Sequence, residues 1–425
     1  MAVPARKIDM AEALLAAHPA PGGEAGWAAS ARAAAASRLR ASGAPVRRDE
    51  YWRWTDPASL TAPAPTPAPL PEATAPVFAG VDALEVVIED GRIVSAPEGM
   101  EGVEIATLAD AMSRDIHWAK DLFGVLEANG QVPVTRPLAA LNTAVATEGL
   151  AIRVTGKAPR PILLRGRRKS DSADAVLHHV IRLEPGAELT VLEDGGPGAR
   201  VNALIEADVA DDAALHLIRA SGPEAERRGV WQLFARLGRE SALKAFAIAA
   251  GGRLTRTEQV VELTGDDAAV HLAGACLGDG DDFTHDDTVF VIHDAERCES
   301  RQVFKKVLRG TAKGVFQGKI LVKEGAQKTD GYQISQGLLL DERAEFLAKP
   351  ELEIYADDVI CSHGSTCGAA DENALYYLRA RGIPKREAES LLVLSFLGEA
   401  IEEIEDEDLA EILREQTAAW VKAGA

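Results

Sequence analysis

The spacing of apolar residues changes character twice along the 425-residue chain. Near the N-terminus the Ala-rich run "GWAASARAAAASRLRAS" carries helical texture and leads to an aromatic cluster, Tyr51, Trp52 and Trp54, in "DEYWRWTDP". Prolines between residues 57 and 76 forbid helix and predict a spacer that contributes no core. In "LEVVIEDGRIVSA" the pair Asp90-Gly91 sits between two strand-like runs and predicts a two-residue hairpin turn. A second helical stretch follows in "LADAMSRDIHWAKDLFGVLEAN". From about Leu141 to Ile354 the pattern becomes short alternating runs, such as "LAIRVTG", "AALHLIRA" and "KILVKEG", broken by Gly, Asp and Pro, which predicts strands with frequent turns. Beyond that, Asp371 is placed to cap "ENALYYLRAR", Gly382 to end it, and Pro384 to open the next helix; a last helix runs through "EDLAEILREQTAAWVKA". The acidic run "EEIEDED" between the last two helices reads as a solvated junction.

Within the strand-rich region the apolar residues Leu189, Leu215, Leu243 and Val270 recur 26, 28 and 27 residues apart, each just after a small or acidic turn, with a weaker echo at Phe346. Such a period predicts a stacked coil in which each repeat buries its face against its neighbours, a parallel β-helix. Evenly spaced strands of a β-sandwich are the alternative. The resulting division is a mainly helical N-terminal domain over 1–135 with a linker at 57–76, a β-helix over 136–355 and a C-terminal helical domain over 356–425. A coil of this kind ends in strands with unpaired backbone groups, which must be capped, charged or paired with another chain.

Composition narrows the function. Forty-six Lys and Arg against 66 Asp and Glu leave a formal charge of −20, which repels a phosphate backbone, so nucleic acid is not an expected partner. The longest apolar run, Leu391 to Gly398, is too short to span a bilayer and no export signal is evident, so a cytoplasmic protein without membrane contact is expected. Four cysteines are too few for a disulfide framework.

Most candidate chemistry is thin. In "GVFQGKI" Gly314 and Gly318 are one residue too close for a phosphate loop and Ile320 stands where a hydroxyl is needed. The stretch "LGDGDDFTHDD" resembles one calcium-binding nonapeptide but stands alone, so an acidic turn is expected. No nucleophile elbow is present, and His285 and His293 have no evident seryl or cysteinyl partner. Cys276 reads as a small buried residue; Cys298 has the more polar setting. That leaves Cys361, His363 and Cys367. Their Cys-x-His-x3-Cys spacing could bring three ligands to one open metal site, completed by a residue from another chain, or could be packing alone.

Several separate stretches, "CSHGSTCGAADENALYYLRARGI", "RCESRQVFKKVLRGTAKGVFQGKI", "QKTDGYQISQGLLL", "YADDVICSHG", "DEYWRWTDP" and "PLAALNTA", resemble the SufD family of iron–sulfur cluster assembly scaffolds. The paralogous SufB family differs by a Cys-x-His-Glu-Ala sequence at the corresponding place. The resemblance implies a right-handed parallel β-helix between two helical domains, and a non-catalytic subunit that pairs with a SufB-like paralogue. It also implies two copies of a SufC-like ATPase per complex, and leaves open whether the chain forms a homodimer when alone. His363 matches the histidine that faces a SufB cysteine where a transient Fe–S cluster forms, with Cys361 beside it; no permanently bound cofactor is implied. Cys367 has no role to transfer. The surface around Tyr377, Arg379, Gly382, Ile383 and Phe396 resembles the part that docks SufC, with ATP hydrolysed in trans. Against these stand a purely structural capping subunit and a solitary β-helix enzyme for carbohydrate or acyl substrates.

Overall fold

The computed structural model describes residues 3–19, 22–71, 76–132, 134–224 and 226–424. Among them, two ten-stranded sheets run the length of the molecule, and successive segments of chain alternate between them to form a β-solenoid of about seven turns. The repeat is visible in the register itself. Leu189, Leu215, Leu243 and Val270 are direct neighbours in the first sheet, and all four are buried in the lumen of the coil. The same column continues through Ser300 and Gly331 to Cys361 in the last strand. Phe346 does not belong to it; it lies beside Gly314 in the second sheet, so the later echo came from the opposite wall.

The corners explain why the period is kept. Asp212, Glu240, Asp267, Arg297 and Lys328 each take a left-handed backbone conformation, which is unfavourable for L-residues. Each offsets that cost by donating its amide to a carbonyl of the next rung, at Arg239, Asp266, Glu296, Gln327 and Asp358. The residue after each corner turns inward and is small: Ala213, Ser241, Ala268, Cys298 and Thr329. Cys298 is therefore a packing residue at 1% exposure, despite its charged sequence neighbours.

Eight helices surround the coil among the described residues: α1 (Ala5–Ala17), α2 (Gly26–Ser42), α3 (Leu108–Ser113), α4 (Val125–Asn129), α5 (Pro137–Val145), α6 (Glu372–Ala380), α7 (Lys385–Ile401) and α8 (Glu407–Gly424). The predicted hairpin forms at Asp90-Gly91, both with positive φ, and its first strand, Leu84–Glu89, joins the first sheet in parallel with Ile162–Arg167. The N-terminal aromatic cluster docks on the outer face of the second sheet. Arg256 stacks on Trp52 with its guanidinium 4.0 Å from the ring centre, and it pairs with Glu258 at 2.7 Å and with Asp286, which also accepts from Thr55. The proline-rich segment is not wholly without core: Leu60 and Ala68 are buried, and the Ala68 amide donates to Asp171. Residues 72–75 of that segment lie outside the described residues.

Helices α7 and α8 lay Val393, Leu397, Ile401 and Leu413 against Phe246, Ile248, Val303 and Val307 on the outside of the first sheet. The acidic run at their junction is a tether as well as a solvated link, because Glu403 pairs with Arg301 at 2.9 Å and Glu405 with Lys244 at 2.8 Å. Among the described residues no helix is long and apolar enough to cross a membrane.

Two histidines inside the coil make its stability depend on pH. Burial lowers His293 to about 4 and His179 to about 3, the latter helped by neighbouring His178. Both are therefore neutral in the folded state where they would be protonated in the unfolded chain. The unfolded state binds more protons below pH 6.5, so stability is lost as pH falls from about 6.5 toward 4. The expected slope approaches about 1.4 kcal/mol per pH unit for each histidine. Urea denaturation between pH 4.5 and 7.5 measures it, and His179→Phe should make the dependence shallower.

Candidate functional site

The coil ends at two open edges. Among the described residues, Ile360–Gly368 is the last strand of the first sheet and pairs only with Asp330–Leu339; Glu345–Ile354 is the last strand of the second sheet. Successive side chains of a strand alternate between its faces, so Cys361, His363, Ser365 and Cys367 all lie on the lumen side of the final rung.

Their surroundings differ. Cys361 is half-buried and packs with Ile320, Val322, Ala326 and Ala356. A Cβ on its neighbour Gly331 would come 3.2 Å from the sulfur, so a side chain there would crowd the thiol. Burial pushes the Cys361 thiol up, against a lowering backbone hydrogen bond from Gly331. His363 is exposed and stacks in register on Gln333 and Gln302, which are both fully buried. Gln333 Nε2 donates to Gln302 Oε1 at 2.8 Å, while Gln333 Oε1 has no partner among the described residues. The column of lumen side chains beneath His363 thus turns from apolar, with Leu217, Ala245 and Leu272, to polar over its last rungs. Ser365 and Ser335 share a hydrogen bond of 2.7 Å.

This geometry rules out one reading of the Cys-x-His-x3-Cys spacing. Cys361 and Cys367 are six residues apart on one extended strand, roughly 20 Å, so a single ion cannot be held by both. Cys361 and His363 are two apart, about 7 Å between backbone positions, on the same side and able to converge. Cys367 is exposed beside Gly337. Among the described residues no cluster of three or more His, Cys, Asp or Glu is arranged to hold a metal, so a site at this edge needs ligands from elsewhere.

Further along the lumen lies chemistry that the spacing of motifs did not reveal. Lys306 Nζ reaches Asp287 at 2.5 Å and His285 at 2.8 Å, all fully buried, and stands beside Cys276 in the sheet. Burial pushes the Cys276 thiol up to about 12, so it is inert packing. The available signal was parity: Lys306 lies on the same alternate positions of its strand as the inward Ser300, Gln302 and Phe304.

The segment "GVFQGKI" is part of the straight strand Lys313–Val322, not a loop, and forms no phosphate cradle. "GDGDD" forms a turn between rungs, with Asp282 paired to Arg253 at 2.5 Å. On the C-terminal helices, Asp371 caps α6 by accepting from the Asn373 amide at 2.8 Å, and Gly382 follows it with φ 88°. Tyr377, Arg379 and Gly382 are exposed, Ile383 is half-buried, and Phe396 is turned toward the coil with Lys305 4.6 Å from its ring centre. The neighbouring Tyr376, 76% exposed, adds to this surface and was not singled out from the sequence.

The described residues form a solenoid of two sheets whose last strand carries a thiol and an imidazole at an open edge. The family model described as "SUF system FeS cluster assembly, SufBD core domain" matches residues 167–396, and the chain belongs to that family. Its full-length likeness is to SufD. It is 27% identical over 404 residues to the iron–sulfur cluster assembly protein SufD of Escherichia coli (strain K12), covering 91% of this chain and 92% of that one. SufD of Bacillus subtilis (strain 168) is 34% identical over 150 residues, covering 35% of this chain and 34% of that one. Protein ABCI7, chloroplastic, of Arabidopsis thaliana is 34% identical over 184 residues, or 43% of this chain and 38% of that one. The protein's role therefore lies in iron–sulfur cluster assembly.

Proposed function

We propose that the chain is a non-catalytic, cytoplasmic scaffold subunit. It pairs its open edge with a SufB-like paralogue and docks a SufC-like ATPase, two copies per complex, so that a nascent cluster is built where the two coils meet. The observation that carries this reading is the terminal strand Ile360–Gly368, whose outer backbone edge pairs with no other strand among the described residues while its lumen side holds Cys361 and His363. An open edge of this kind is completed by a strand from another chain. Imidazole nitrogen and thiolate are ligands that suit iron and sulfide, and a SufB-like cysteine would supply the remaining donor. Because burial raises the Cys361 thiol, its proton leaves as iron binds, which makes loading more favourable at higher pH. Gln333 Oε1, the acceptor one rung beneath His363, is suited to orient the imidazole by accepting its second N–H.

The ATPase would dock on α6 and the start of α7, where Tyr376, Tyr377 and Arg379 are exposed together. Anaerobic co-expression with SufB-like and SufC-like subunits tests the assembly directly. Wild type should purify as a mixed complex containing iron and sulfide. Tyr376→Asp with Tyr377→Asp should lose the ATPase and keep the paralogue. A chain that stays solitary under these conditions, or a doubly substituted chain that retains the ATPase, would be incompatible with the proposal.

A further inference from the structure

Helix α1 is closed by His18 as its C-cap residue, and both ring nitrogens of that histidine are engaged. Nδ1 lies 3.0 Å from the Leu14 carbonyl oxygen, one turn back in α1. Nε2 lies 3.0 Å from Oδ2 of Asp174, on the coil strand Asp174–Leu183. Burial opposes the charge of Asp174, but Arg200 and His18 more than compensate and lower its carboxyl to about 2. A carbonyl oxygen and an ionised carboxylate can only accept. Both nitrogens of His18 must therefore donate, and only the imidazolium carries two N–H groups. The C-terminal end of a helix also favours a cation.

Among the described residues this is the one side-chain hydrogen bond or ion pair from α1 and its cap to a strand of the coil. The others, Lys7 to Asp49 and Glu12 to Arg40, stay within the N-terminal helical domain. Asp174 does not depend on the contact, because Arg200 holds the same carboxylate through Nε at 2.8 Å and through Nη2. A void of about 20 Å³ lies under the joint, lined by Leu14, His18, Leu60, Leu138, Asp174 and Arg200. It has room for one water, which can replace the imidazole at Asp174. The His18 side chain is 18% exposed, so its ring exchanges protons with solvent. Asp174 and Arg200 are the charged groups that face it; α5 and the proline-rich segment bring Leu138, Leu141 and Leu60, which are uncharged.

We propose that His18 is a pH-operated latch for α1: protonated, it fastens the end of the helix to the coil, and deprotonated, it lets that end go. Loss of the proton leaves one ring nitrogen with its lone pair toward an acceptor, so one of the two hydrogen bonds becomes a repulsion. The Asp174–Arg200 pair remains behind and keeps the rung intact. The hydrogen bond to Asp174 raises the imidazole above its ordinary 6.5, against the effect of burial. The fastening is thus complete below about pH 6.5 and is lost as pH rises through the folded value. Its sign is opposite to that of His179 and His293, which weaken the coil as pH falls.

Hydrogen–deuterium exchange of the full chain, read by mass spectrometry at about pH 6 and pH 9 and corrected for the intrinsic pH dependence of exchange, tests the latch. Protection in the last turns of α1 is expected to fall about tenfold between the two, while that of α7, which contains no histidine, stays level. His18→Ala should show the lower protection at both pH values. His18→Lys, which keeps a cation across this range, should show the higher protection at both. The proposal is overturned by equal protection of wild-type α1 at the two pH values, by a pH dependence that His18→Ala retains, or by a His18→Lys chain that loses protection as wild type does.

Discussion

Replacing His363 with alanine is expected to leave the mixed complex assembled and to lower its iron and sulfide content about ten- to a hundredfold. The imidazole is exposed on the last strand and makes no hydrogen bond or ion pair to other described residues that would give it a part in folding. Surface positions of that kind change stability by only about 0.5 kcal/mol, so a loss of loading would report ligation and not collapse. The measurement is iron, acid-labile sulfide and visible absorbance of anaerobically purified complex, with complex mass and melting temperature as controls. Loading equal to wild type in an intact complex would sink the ligand role and leave the chain as a structural cap.

Lys306→Met is expected to destabilise the chain by about 3–5 kcal/mol, the usual result of stranding one member of a buried ion pair. Asp287 would lose its ion-pair partner and keep His285, 3.4 Å away, whose protonation burial disfavours, in a fully buried site. Replacing both partners, Lys306→Met with Asp287→Leu, should recover most of the loss, because two well-packed apolar residues avoid the desolvation of both charges. Burial opposes the charge of Asp287, but Lys306 and His285 more than compensate and hold its carboxyl well below the usual carboxylate range. The pair's contribution is thus fully present above about pH 4 and fades as pH falls below it. Denaturant titrations of the three chains at neutral pH, repeated in acid, measure both effects. A single variant as stable as wild type would show that Asp287 is paired or hydrated in some other way.

The rungs of the coil were legible because each one repeats the same inward residue, and Leu189, Leu215, Leu243 and Val270 proved to be literal neighbours. Their uneven spacing is absorbed at the corners: a longer segment between Leu215 and the strand that starts at Arg228 makes the widest step, and one extra residue ahead of the left-handed Asp267 makes the next. Phe346 misled because alternating strands look alike whichever wall they join. Cys298 misled for a different reason: its sequence neighbours form an exposed corner while its own thiol faces the lumen. His285 was noted without a partner because its lysine lies on another strand: His285 and Asp287 share Thr284–His293 of the second sheet, Lys306 lies on Glu299–Leu308 of the first, and only the winding of the coil brings them together. At the open edge, Cys361 and His363 could be named from their motif. Separating them from Cys367 required the extended strand, which sets the second cysteine out of reach.

The terminal strand is held from one side only, and helix α6 begins four residues after it ends. In a one-dimensional stack, opening free energy is smallest at the last repeat, since a single interface must be broken there instead of two. The edge is therefore the fraying end of the stack. Mechanically, α6 is a short lever fixed to that end: a force on the helix arrives first at Cys367, peels the strand toward His363 and Cys361, and is not passed inward until the final rung has come away.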